Sequence, residues 1–153
     1  MAKFKFELQP ILGFKEQVEN QKELEFAKTL NIVAKEREKL EGLFAEKDSS
    51  LKKFKGEVCP VGGSKLLPTE FIRLNNYIEH LKKCIERQKD VLMKAELILE
   101  QKRLALIEAS KERKTLDKLK ENKFEEHLFE EKQSEQKIID EVVSYKHSIK
   151  EVS

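Results

Sequence analysis

Residues 71–109 read FIRLNNYIEHLKKCIERQKDVLMKAELILEQKRLALIEA. Within them Phe71, Leu74, Ile78, Leu81, Ile85, Leu92, Ala95, Leu99, Leu106 and Ala109 recur in steps of three and four, with polar gaps at Gln88 and Lys102. Such steps keep one face of an α-helix turned toward a partner. An earlier stretch repeats the pattern with Leu30, Val33, Leu40, Phe44, Leu51 and Phe54. Between the two lies Gly56 to Pro68, which contains Pro60, Gly62, Gly63 and Ser64 and reads as a loop. Two amphipathic helices joined by one short loop fold back on each other. The expected fold is all-α, an antiparallel two-helix coiled-coil hairpin in a single domain spanning 1–153, with helix one over about 10–55 and helix two over about 69–148.

The helix starts carry their own signals. Pro10 suits a first turn, where its missing N–H costs nothing. Thr69 is expected to cap the second helix, with Glu70 placed to suit its dipole. Gly42 is a lone interior glycine, which a long helix absorbs at about 1 kcal/mol. At about 1.5 Å per residue, helix two reaches on the order of 120 Å against about 70 Å for helix one.

A register follows from pairing residues whose numbers sum to 125. Leu51 then faces Leu74, Phe44 faces Leu81, Leu40 faces Ile85 and Val33 faces Leu92. The polar exceptions match as well, with Arg37 opposite Gln88 and Glu23 opposite Lys102, although Lys47 meets Ile78 poorly. Helix one runs out opposite Thr115, so 116–148 is expected to form a long C-terminal overhang. The apolar phase changes there, to Phe124, Leu128, Ile138, Val142, Tyr145 and Ile149. An apolar stripe without a partner helix marks a binding surface.

Composition narrows the function. Charged residues make up 39% of the chain, yet Lys+Arg at 31 and Asp+Glu at 29 leave a net charge of only +2, with the signs interspersed. That is a solvated helix surface, without the basic patch of a nucleic-acid binder. No apolar run nears the roughly 18 residues of a membrane span, and the N-terminus lacks the apolar core of a signal peptide. A cytoplasmic location is expected, with Cys59 and Cys84 as reduced thiols.

No chemistry is expected either. Val61-Gly62-Gly63-Ser64-Lys65 lacks phosphate-loop spacing and a preceding strand. His80 and Cys84 share a helix face at i, i+4, but a structural zinc site wants four ligands. The carboxylates sit on solvated helices, where nothing tunes them for acid–base work. No catalytic residue, cofactor or metal is assigned. Two features remain for protein contacts. Tyr77, Cys84 and Gln88 form a stripe beside the seam, either a shielded flank or an interface. Phe4, Phe6 and Leu8 either cap the open end of the seam or anchor in a partner's pocket.

The opening Lys3-Phe4-Lys5-Phe6-Glu7-Leu8-Gln9-Pro10-Ile11-Leu12 resembles the start of the flagellar export protein FliJ family, which favours F-x-F-x-L-x-P-[IL]-L ahead of a charged helix. The charged hairpin with a longer second helix agrees in kind. The resemblance implies a non-enzymatic component of the bacterial flagellar type III export apparatus, with a fold like the gamma stalk of rotary ATPases. It implies three partners: the hexameric export ATPase, the cytoplasmic part of the membrane export gate, and export chaperones. The chain would then be cytoplasmic and peripheral to the membrane, without inserting into it. The family's gate contact maps onto Tyr77, Leu81, Cys84 and Gln88. The end with both termini would enter the ATPase ring, through Phe4, Phe6, Leu8, Phe124, Leu128, Phe129, Ile138 and Val142. A stalk or stator subunit of a rotary ATPase, or a general coiled-coil chaperone or tether, is the alternative.

Overall fold

The computed structural model describes residues 3–58 and 67–152. Two helices account for nearly all of them: α1 over Gln9–Val58 and α2 over Pro68–Val152, with no strand among the described residues. They pack antiparallel as an all-α hairpin. Cys59 and the 61–65 motif lie outside the described residues. The α1 backbone stays helical through Gly56 and ends at Val58. α2 starts two residues earlier than a Thr69 cap implies. Pro68 is its first residue, and the Leu67 carbonyl accepts from both Glu70 and Phe71 at 3.0 Å, so Thr69 lies inside the first turn. Proline favours that first position because its φ is already helical and it has no N–H to leave unpaired.

The chain divides into two compact units, Lys22–Leu106 and Met1–Gln21 with Ile107–Ser153. In the first unit the residues turned inward on α1 are Phe26, Thr29, Val33, Glu36, Leu40, Leu43, Lys47, Ser50 and Phe54. They alternate steps of three and four without a break. This differs from the expected seam. Leu30 and Phe44 are exposed, while Thr29 and Ser50 are buried to 7% and 8% exposure. Val33, Leu40, Lys47 and Phe54 belong to both phases and Leu51 is half-buried as expected, so the seam is turned by one residue at the layers of Leu30, Arg37 and Phe44. Burying a threonine there is cheap, because its hydroxyl donates to the Glu25 carbonyl at 2.8 Å within its own helix. No buried side-chain N or O atom lacks a hydrogen-bond partner among the described residues.

On α2 the inward residues of this unit are Leu74, Ile78, Leu81, Ile85, Gln88, Leu92, Ala95, Leu99, Lys102 and Leu106, which is the expected stripe. Phe54 and Phe71 keep the expected register, with ring centroids 5.0 Å apart. The polar layers shift slightly. Gln88 bonds Glu36, not Arg37, which instead reaches Glu96 at 3.1 Å. Lys102 pairs with Glu25 at 3.2 Å in place of Glu23.

In the second unit Leu12 is the most deeply buried side chain, at 2% exposure, and Ala109 is buried too. Lys15 pairs with Glu112 at 2.7 Å, and Arg113 bridges Glu19 and Asp117. Residues 3–8 precede α1 as an irregular segment that continues along α2. The overhang expected from 116 onward is therefore partly covered. Phe4 carries this cover as far as Phe124 and His127. Leu116, Asp117, Lys120 and His127 are half-buried, and every described residue from Lys132 to Val152 is exposed.

Candidate protein-binding surfaces

Within Lys22–Leu106, the four residues mapped to a gate contact do not share one accessible face. Leu81 is 3% exposed, inside the seam, where its position in the three-four repeat puts it. Gln88 is half-buried and turned toward α1, its amide donating to the Glu36 carbonyl at 3.0 Å and to the Glu36 carboxylate. That hydrogen bond, aided by Lys39, holds the Glu36 carboxyl below its ordinary range. Tyr77 is 39% exposed and lies over the edge of the seam. Its hydroxyl donates to Glu46, and the carboxylate so close to it pushes the phenol above its ordinary range. Cys84 is a half-buried free thiol, its Sγ 3.5 Å from His80 Nε2. Tyr77 and Cys84 are thus reachable from solvent, whereas Leu81 and Gln88 join α2 to α1.

The second unit carries the aromatic start. Phe4 meets Phe124 edge-on, with centroids 5.3 Å apart and planes at 68°, and lies 5.6 Å from the His127 ring. Such edge-to-face pairs add about 0.5–1.5 kcal/mol beyond burial. Lys120 donates to the Gln9 side chain at 2.8 Å, and His127 sits 3.1 Å from Glu131. Phe4, Phe6 and Leu8 are all half-buried on their own α2, with a cavity of about 370 Å³ between the segment and Leu119, Lys123 and His127. Phe124, Leu128, Phe129, Ile138 and Val142 remain exposed.

The particular partners of Phe4, Phe124 and His127, do not follow from the residues, which offer only a cap on the open seam end or an anchor in a partner's pocket. The signal of the cap is the alternation Phe4, Phe6, Leu8, which marks an extended segment with one apolar side. A second feature also went unread. Met93, Leu97 and Leu104 are exposed on α2. They lie four and seven residues apart, which sets them on one side of the helix. Among the described residues, no group of three or more His, Cys, Asp or Glu could hold a metal ion, and no helix is long and apolar enough to cross a membrane.

The family model described as "Flagellar FliJ protein" matches residues 4–151. The chain belongs to the FliJ family. Membership makes it a component of flagellar type III protein export, and the motif that opens α1 is the residue pattern by which it was recognisable. Among solved structures it is similar to CT670 from Chlamydia trachomatis, described as a YscO homolog. The TM-score is 0.67 over 99% of each chain at 20% identity, a likeness of fold. No curated protein matches the chain.

Proposed function

We propose that this FliJ family chain is a non-enzymatic, cytoplasmic link in flagellar export. In this reading it inserts the C-terminal part of α2 into the hexameric export ATPase. It also contacts the cytoplasmic part of the export gate and export chaperones, at the membrane but not in it. The observation that carries the reading is the exposed stripe Phe124, Leu128, Phe129, Ile138 and Val142 on a helix that outruns its partner. A ring with an apolar channel or rim would cover such a helix, and burial of its apolar area would drive insertion. Phe4, Phe6 and Leu8 support the same end from their seat on α2, stiffening the base from which the overhang projects. For the gate, Tyr77 and Cys84 are the atoms a partner can reach, with Leu81 and Gln88 holding the helix face beneath them.

The test is a chain ending at Glu131. It keeps the seat of Phe4 and both halves of the hairpin but lacks the uncovered helix. Steady-state ATP hydrolysis by the export ATPase is measured with excess full-length or shortened chain, alongside helicity by circular dichroism. A folded, shortened chain that no longer stimulates hydrolysis or ring formation is expected. Equal stimulation by both chains would refute insertion through 132–152.

A further inference from the structure

Beyond Glu131, α2 changes its apolar phase, and none of its described residues there is buried. Ile138, Val142, Tyr145, Ile149 and Val152 follow steps of four, three, four and three, and all five are exposed. This is the seam pattern of a coiled coil on a helix that lacks its second strand. The stripe runs one residue ahead of the phase set by Arg113, Leu116, Lys120 and His127. One residue is a turn of about 100° around the helix. A second helix can therefore meet the stripe without displacing Phe4 from Phe124 and His127.

We infer that residues 138–152 form a parallel, in-register coiled coil with the same segment of a second copy of this chain. Charge selects that occupant. With Val142 and Ile149 at the a positions and Ile138, Tyr145 and Val152 at d, Glu141 takes a g position and Lys146 the following e position. In a parallel pair g faces the e′ five residues on, so Glu141 meets Lys146 of the second copy, and the symmetry axis makes the contact twice. Neither residue forms an ion pair within its own chain among the described residues. An antiparallel pair would place Glu141 near Ser148 and Lys146 near Ile139, with no charge partner. The segment has little more than two heptads, so the dimer is weak and depends on concentration. Self-pairing and ring insertion would use the same stripe, but the pairing rests on the chain alone and is measured without the ATPase.

The experiment uses the full-length chain with Cys59→Ser and Cys84→Ser. Sedimentation velocity over a wide concentration range should show the mass rise above the 18.0 kDa of one chain. Ile149→Cys in this background should form a disulfide-linked dimer on oxidation, because a parallel register sets each residue beside its own copy. Glu141→Lys turns two attractions into repulsions and should weaken dimerisation by about tenfold. Adding Lys146→Glu should restore it, with helicity unchanged throughout. A chain that stays monomeric at every concentration overturns the proposal. So does dimerisation that is indifferent to Glu141→Lys, or an Ile149→Cys chain that associates without crosslinking.

Discussion

Replacing Leu81 and Tyr77 one at a time separates the seam from the surface beside it. The two residues lie about one helical turn apart on α2, yet Leu81 is 3% and Tyr77 39% exposed. Leu81→Ala removes three buried carbon groups, each contributing roughly 0.8 kcal/mol of transfer free energy, and adds a cavity term. Core leucines commonly lose about 2–5 kcal/mol on truncation. A seam only two helices thick can close partly around the gap, so the lower half of that range is expected, about 2–3 kcal/mol. For a chain of this size that lowers the melting midpoint by about 5–10 °C. Tyr77→Ala removes an exposed ring and its hydrogen bond to Glu46, and should lower the midpoint far less. Both variants are melted by circular dichroism at 222 nm and then assayed, while folded, for binding to the cytoplasmic part of the export gate. Tyr77→Ala should weaken gate binding in a fully folded chain, whereas any loss with Leu81→Ala should track its lost helicity. If Leu81→Ala melts with the wild type, or Tyr77→Ala proves the more destabilising, α2 does not face α1 through Leu81 and the seam described above is wrong.

Two further outcomes follow from the same structure. At Gly42 a Cβ would meet nothing within 4 Å, so Gly42→Ala should raise stability by about 0.5–1 kcal/mol in chemical denaturation, and a destabilised variant would mean the α1 backbone there is not an ordinary helix. The carboxyls of Glu25 (by Lys102), Glu36 (by Gln88) and Glu100 (by Arg103) are held below their ordinary range, so they bind protons less readily folded than unfolded. Their contribution is present above the ordinary carboxylate range and is lost as pH falls through it. The melting midpoint should therefore drop on acidification into that range, less steeply in Glu36→Gln, and a midpoint that rises would contradict the sign.

The hairpin was legible in sequence because its evidence is local. A three-four repeat from Phe71 to Ala109, a matching one before Phe54 and the Gly- and Pro-rich break between them leave few ways to bury two apolar stripes. The F-x-F-x-L-x-P opening was legible for the same reason, being a contiguous pattern that leads directly into a helix. Leu81 and Gln88 show where reading stopped in the candidate surface. Spacing placed Leu81 in the seam and Gln88 beside or within it. Only the position of Glu36 decided that the Gln88 amide is committed to α1 and that Tyr77 and Cys84 are the accessible pair.

The phase of α1 is the plainest case of tertiary choice. Leu30, Arg37, Phe44 and Leu51 continue the repeat through Val33 and Leu40 as regularly as Thr29, Glu36, Leu43 and Ser50 do, and their side chains are more apolar in sum. A helix stripe about 100° wide contains both sets, so sequence alone does not rank them. The packed hairpin does: Thr29, its hydroxyl bonded to the Glu25 carbonyl, and Ser50 are buried in it, while Leu30 and Phe44 are exposed. The extent of the overhang was decided in the same way. The residues after Thr115 state that α1 has ended. The seat of Phe4 on Phe124 and His127 is a contact between segments 120 residues apart in sequence, and it leaves the uncovered helix at 132–152. Sequence by itself determined two helices, their order and the stripe each must bury. The tertiary structure determined which residues within a stripe meet and where coverage stops, because those depend on distances between segments far apart along the chain.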